Sequence, residues 1–174
     1  RQFYGAKFWS QYLPQVNGEA PLVDTAMPDS DSTFTQHFGK RVGTLTAERP
    51  STVVRVTKDK VVMRDVDGEK VEVDLVQDFP FNRISGVSYR SAVKAGDAIE
   101  AGDVVARSNF VDDDNALTLG RNLSVAVIPF RGNSYEDGIV ISEDAAKKLT
   151  TGRLYGFDAE AKHGVSLGKN KYAS

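Results

Sequence analysis

The chain has 174 residues, a formal net charge of −2, a pI near 5.7 and 40% apolar residues. That apolar content suits one packed domain or two small ones, and the charge carries no global basic signature from which nucleic-acid binding could be argued. With no cysteine, and with His37 and His163 far apart as the two histidines, disulfide frameworks, thiolate metal sites and a zinc constellation are excluded.

No run approaches the ~20 apolar residues of a membrane-spanning helix, and Arg1 opens no signal peptide, so no membrane partner is expected. A reducing, intracellular setting is compatible with the absence of cysteine. The chain does not begin with Met and reads as a piece of something longer. Residues 1–30 concentrate Phe3, Tyr4, Phe8, Trp9 and Tyr12. At near-helical spacing such residues form a core stripe more often than a base-stacking platform. The helix must stop near Leu13, because Pro14 disfavours helical geometry in the residue before it, and Val16-Asn17-Gly18 is a turn.

From Asp29 to Phe81 the pattern alternates and turns like antiparallel sheet. Thr52 to Thr57, Lys60 to Arg64 and Lys70 to Leu75 are short β-branched strands separated by Lys58-Asp59 and by Asp67-Gly68, a hairpin signal. Charges alternate with valines, so one face is buried and the other wet. The mixed charges Arg55, Lys58, Lys60 and Arg64 are solvated surface rather than a DNA patch. In residues 93–106 two Gly-Asp pairs six residues apart set tight turns on either side of Ala98-Ile99, with Val104-Val105 following as strand. This compact β pattern occurs in sandwich-barrel hybrid folds, carrier domains included. A carrier would place a lysine at a hairpin tip in a Met-Lys-Met or Asp-Lys-Ala setting, and neither string occurs. Asp112-Asp113-Asp114-Asn115 lacks the glycine and glutamate of a calcium loop and reads as a solvated acidic loop.

Residues 116–144 read as strand, loop, strand: Leu123 to Phe130, turn chemistry at Arg131-Gly132-Asn133-Ser134-Tyr135, then Gly138 to Ser142. Glu136 and Asp137 stand where the second strand begins, carboxylates on a rigid element beside a loop. Such a pair is more often a solvated turn than a ligand pair. Ser142, Glu143 and Asp144 followed by Ala145 to Leu149 form a short capped helix with a basic last turn, ended by Thr151-Gly152. Leu154 to Phe157 suits a returning strand, and His163 to Ser174 is a basic, glycine-punctuated terminus. Leu119-Gly120-Arg121-Asn122 and Leu167-Gly168-Lys169-Asn170 look alike, but four residues do not establish a repeat.

The ordered string Leu119-Gly120-Arg121-Asn122, apolar strand, Pro129, aromatic, Gly132, Tyr135-Glu136-Asp137, Ile139, Ile141-Ser142-Glu143 resembles the β subunit of multisubunit DNA-directed RNA polymerase. Gly5-Ala6, Gln11, Pro14 and Ala20 to Met27 are similar to that subunit's segment after the fork region. Residues 93–106 also stand where the subunit has such an element, shortly before the L-G-x-N strand. Phe130 replaces a usual Trp, Asn133 a Tyr, Ser134 an Asn and Ser10 an Arg, departures that suggest a divergent member of viral or phage type.

The resemblance implies a mostly-β fold: a sandwich-barrel hybrid or hybrid-binding region, then the start of a double-psi β-barrel, with few short helices. Its parts are a fork-adjacent segment at 1–30, the β-rich region at 31–115 and an incomplete barrel at 116–174. It implies a share in template-directed RNA synthesis by a nucleotidyltransferase, in cytoplasm and nucleoid, with a β′-type large subunit, DNA template, RNA transcript and nucleoside triphosphates as partners. In the family the glutamine at Gln11 lies close to the RNA end. Glu136 and Asp137 approach the second Mg2+, with Asp137 as a metal ligand shared with the other subunit, which supplies most ligands. The chain alone is then inert. The alternative is a non-catalytic sandwich-hybrid binding or carrier module.

Overall fold

The computed structural model describes residues 7, 10–28, 30–82, 84–128 and 138–155. Among these, helix α1 (Phe34–Gly43) leads into β1 (Thr44–Thr46), β2 (Ser51–Val56), β3 (Lys60–Asp65), β4 (Lys70–Asp74), β5 (Phe79–Pro80), β6 (Gly86–Val87), β7 (Tyr89–Ser91), β8 (Ala98–Ile99) and β9 (Val104–Ser108). Helix α2 (Glu143–Lys148) follows. All strand pairing is antiparallel, in sheets ordered β1-β9-β7, β4-β3-β2-β8 and β5-β6. The fold is mostly β, as the sequence pattern requires.

The three valine-rich strands occupy the expected positions because their alternation buries one face. Val53, Val61 and Met63 are buried, and Val71 and Val73 pack against them together with Ile99 and Val105. A bulge at Val54 shifts the register between β2 and β3, which leaves Val54 itself exposed. On the wet face Lys60 lies 2.7 Å from Glu72, and Lys70 also pairs with it. These two lysines hold the Glu72 carboxyl down to about 2. A fully buried valine contributes about 1.5–3 kcal/mol against at most about 1 for an exposed ion pair, so the apolar face holds the sheet together.

The two Gly-Asp turns are built alike. Asp97 accepts from the Lys94 amide at 2.7 Å and Asp103 from the Glu100 amide at 2.8 Å. Gly96 and Gly102, at φ +95° and +89°, take left-handed turn positions that only glycine occupies freely. Their amides donate to the Val53 and Ala47 carbonyls, while Val53 and Ala47 donate back to the Asp97 and Asp103 carbonyls. Beyond a register shift between Leu45 and Thr46, Thr46 pairs with Val104, Ser51 with Ile99 and Thr52 with Ala98, so from Thr46 onward one register continues from the first sheet into the second. The six-residue spacing read in the sequence is the spacing of this corner.

Asp65 closes the β3–β4 hairpin from inside. Buried at the strand end, its Oδ1 accepts from the amides of Asp67 at 3.0 Å and Glu69 at 2.9 Å, and its Oδ2 lies 3.5 Å from Arg49. Asp65→Ala leaves those donors without their acceptor and should cost about 1–2 kcal/mol of stability, read as the shift of a urea midpoint.

The region from Asp29 to Phe81 is not all sheet, because α1 opens it. Thr33 caps the helix: the Gln36 amide donates to its hydroxyl at 3.4 Å, and Gln36 Oε1 accepts from the Thr33 amide at 2.9 Å. This reciprocal capping box fixes a helix start that strand-like alternation hides. Upstream, the Asp24 carboxylate receives the amides of Thr35 and Thr25 at 3.1 and 2.8 Å. Hydrogen bonds from the Thr33 and Thr35 hydroxyls, with those amides, bring its pKa down to about 2. A folded pKa below the unfolded ~3.9 means that this contribution is present above about pH 4 and is lost as pH falls towards 2. Asp24→Asn should therefore flatten the loss of stability between those pH values, measured by urea unfolding at each.

Helix α2 forms as expected, capped by Ser142 accepting from the Ala145 amide at 3.2 Å. The flanking apolar runs differ from expectation. Residues 123–128 and 138–142 form no strand, and Val125, Val127 and Ile139 are 83%, 97% and 89% exposed. A strand needs a neighbour for its backbone donors and acceptors, and no described segment pairs with these runs. Leu154 likewise makes one backbone bond, to the Ile84 carbonyl at 2.9 Å, without entering a ladder. Phe3, Tyr4, Phe8, Trp9, the turn from Arg131 to Tyr135, and the terminus from His163 lie outside the described residues.

Candidate functional site

The helical backbone before Pro14 ends at Gln11, which is exposed. Its neighbour Tyr12 turns inward and meets the Phe110 ring edge-on, with centroids 5.4 Å apart, and burial pushes its hydroxyl pKa up to about 12. Asn82 donates to the Tyr12 carbonyl at 3.0 Å. Gln11 is thus presented to solvent by a segment anchored at the next residue. Of the aromatic stripe, Tyr12 is the described member, half-buried against Phe110.

From Pro14 to Ala20 the chain is a strap held on both sides. On one, the Val16 amide donates to the Thr150 carbonyl at 2.9 Å, and the Gly152 amide donates to the Pro14 carbonyl at 3.2 Å. On the other, the Glu19 amide donates to the Gly120 carbonyl at 2.8 Å. Gly18 permits this approach, since a Cβ there would lie 2.0 Å from the Thr118 carbonyl oxygen. Glu19 Oε1 lies 2.9 Å from Arg121 Nη1, while Oε2 accepts from the Asn122 amide at 2.9 Å. Arg121 also donates to the Asn17 carbonyl, and Asn122 Nδ2 donates to the Ala20 carbonyl at 2.8 Å. The Asn122 amide, and after it the Arg121 charge, lower the Glu19 carboxyl pKa against the opposing effect of desolvation.

Arg121 and Asn122, read in the sequence only as part of a motif, are therefore structural contacts to a segment a hundred residues earlier. No short-range pattern pairs them with Glu19. The strap touches the chain at 120–122 and again at 150–152, on either side in sequence of Glu136 and Asp137. That pair lies outside the described residues. The fold brings Gln11 and these two flanking segments together through the strap.

The acidic loop is turn-forming. Asp112 Oδ1 accepts from the amides of Asp114 at 3.0 Å and Ala116 at 2.8 Å, and Asp113 lies 3.0 Å from Arg90 on the surface. Among the described residues, no three His, Asp or Glu side chains gather into a cation-binding group. A cleft of about 460 Å³ lies between α1 and β5 to β7, walled by Phe38, Phe79, Phe81 and Phe110. Among the described residues its lining is apolar apart from Tyr89 and Ser108. Among the described residues, no helix is long and apolar enough to cross a membrane.

A family profile for RNA polymerase Rpb2, domain 6, matches residues 47–162. The chain is 35% identical over 164 residues to the DNA-directed RNA polymerase subunit beta of Rubrobacter xylanophilus, covering 93% of this chain and 14% of that protein. It is 29% identical over 148 residues to the subunit of Thermus thermophilus, covering 85% of this chain and 13% of that protein. It is also 29% identical over 164 residues to the subunit of Chloroflexus aggregans, with 93% and 13% covered. The chain thus spans a small part of the relatives it matches, and the profile takes in both the β region and the Glu136-Asp137 segment. On that match, extending over more than half its length, the chain belongs to the RNA polymerase Rpb2 domain 6 family.

Proposed function

We propose that the chain is an internal part of the β subunit of a DNA-directed RNA polymerase, where it forms part of the active-site wall beside the nucleotide and the RNA–DNA hybrid. The observation that carries this reading is the strap. Its residues Pro14 to Ala20 leave Gln11 at one end and hold the chain on either side in sequence of Glu136 and Asp137. A nucleotide-addition site needs the RNA end and the incoming triphosphate held in fixed relation, and a common support serves that need.

Glu136 and Asp137 present hard carboxylate oxygens, the donor type that suits magnesium. Magnesium keeps several waters and is held by one or two carboxylates plus substrate phosphates, so one pair fits a site shared with a β′-type subunit. When bound, the ion neutralises charge developing on the triphosphate. In this reading Asp137 holds the ion, Glu136 supports it, and Gln11 contacts the RNA end with its amide. The partners are the β′-type subunit, template, transcript and nucleoside triphosphates, in the cytoplasm and on the nucleoid. The similarity to polymerase subunits along the chain, and the absence of a carrier lysine motif, favour this reading over a carrier module.

The test is a photo-crosslinker in place of Gln11 in the assembled polymerase, on a scaffold with labelled RNA. Crosslinks to the RNA end are the expected result. Labelling of the template alone, or none, would remove Gln11 from the site.

A further inference from the structure

We propose that the exposed ridge of α1 and the cleft beside it form a docking groove for an acidic amphipathic helix, supplied by a part of the same polymerase subunit that lies outside these 174 residues. The proposal rests on the chain being an internal part of that subunit and is independent of the roles given to Gln11, Glu136 and Asp137.

Helix α1 packs on the body through its glycines. Gly39 and Gly43 are buried there, where a Cβ would lie 2.1 Å from the Asn115 carbonyl oxygen and 2.5 Å from Val111 Cγ1. Phe34, Phe38 and Val42, at positions i, i+4 and i+8, form a separate row about 12 Å long. Phe34 and Val42 are 51% and 48% exposed, and the Phe34 and Phe38 rings stack with centroids 5.9 Å apart. Phe38 and Val42 also wall the cleft of about 460 Å³, together with Phe81, Val87 and Phe79, which is 60% exposed. Row and cleft therefore make one continuous apolar surface, the kind of patch that marks an interaction site, whereas scattered exposed residues do not.

Shape and charge define the occupant. A row spaced i±4 is a ridge that the groove of a second helix receives, and a cleft walled by phenylalanines takes that helix's leucine- or phenylalanine-type anchor. Helix α1 contains no acidic residue. Arg41, three residues after Phe38 and seven after Phe34, shares the face of the ridge, and Lys40 precedes it. Among the described residues neither cation pairs with a carboxylate. Asp78, which precedes Phe79, has its Oδ1 engaged by the Ser88 hydroxyl at 3.1 Å. A helix with carboxylates flanking its apolar anchors complements this edge, and a basic one is repelled by it.

Size points to the same subunit as the source. A ridge of that length beside one cleft is smaller than the about 800 Å² per partner of a stable complex between separate proteins. A segment of the same chain needs less surface, because tethering removes most of the cost of bringing two molecules together. The chain covers 13–14% of the length of the relatives it matches, so such a subunit has ample chain to supply the helix.

The experiment uses the assembled polymerase with benzoylphenylalanine, a photo-crosslinking residue, in place of Phe34 or Val42, and mass spectrometry of the digested adducts. The two positions are independent probes, and at Phe34 one aromatic replaces another, so folding is least disturbed there. The expected result is an adduct site common to both, in a helix of the same subunit outside residues 1–174, with a carboxylate within one turn of the attached residue. A probe at Val54, exposed at the bulge of β2, should not reach that helix. Arg41→Glu should cut the adduct yield about fivefold and Arg41→Lys should not, while changing the identified carboxylate to lysine in the Arg41→Glu enzyme should restore it. Attachment within residues 1–174, to another subunit or to nucleic acid overturns the proposal. So does the absence of adducts at both positions, or a yield indifferent to Arg41→Glu. Adducts as expected while the Gln11 crosslink to RNA fails would keep the groove and remove the active-site reading. RNA crosslinks from Gln11 without adducts from Phe34 or Val42 would do the reverse.

Discussion

Asp137→Ala in the assembled polymerase should slow nucleotide addition by roughly 30-fold to 1,000-fold while subunit assembly and template binding stay nearly intact. The effect corresponds to losing about 2–4 kcal/mol of an interaction with a charged ligand that strengthens towards the transition state. Assembly rests on large surfaces elsewhere, so one carboxylate does not govern it. Higher magnesium should restore part of the rate, because the lost group acts through the ion. Asp113→Ala is the matched control, an acidic residue whose carboxylate makes one ion pair with Arg90 at a largely exposed position. Its rate should stay near wild type. Single-nucleotide extension on a preformed RNA–DNA scaffold separates the two, and equal rates for wild type and Asp137→Ala would remove Asp137 from the site.

Gly39→Ala should destabilise the fold by about 3 kcal/mol, against the sign that helix propensity alone gives. In an exposed helix interior the same change stabilises by about 1 kcal/mol, since alanine is the better helix former. Here Gly39 is buried within α1, and a Cβ would lie 2.1 Å from the Asn115 carbonyl oxygen. That neighbour is fixed: Asn115 sits at φ 63° and its Oδ1 accepts from Arg107 at 2.9 Å. Backbone so held cannot yield by an ångström, so the helix must move off the loop. The measurement is a urea midpoint for the variant, and a midpoint at or above wild type would show that α1 and the 112–116 turn are not in rigid contact.

The legible parts of this chain are those whose physics is local. The valine alternation of β2, β3 and β4, the Asp67-Gly68 hairpin and the capped helix after Ser142 each depend on residues within a few positions of one another. Helix α1 carries a local signal as well, Thr33 followed three residues later by Gln36, but the strand-like run after it masks that signal. Gln11 and the Glu136-Asp137 pair are legible only through resemblance, since a glutamine or two adjacent carboxylates are too common to mark a site.

The sequence by itself determined that this is a mostly-β chain with a tight double turn at 93–106, because side-chain alternation and Gly-Asp turns act over short range. Only the tertiary structure decided that those turns carry one register between two sheets, and that Glu19 meets Arg121 and Asn122 across a hundred residues. It also decided that the apolar runs at 123–128 and 138–142 pair with no strand among the described residues. Apolar, β-branched sequence supplies the tendency to form a strand, whereas a strand exists only where another backbone takes up its hydrogen bonds.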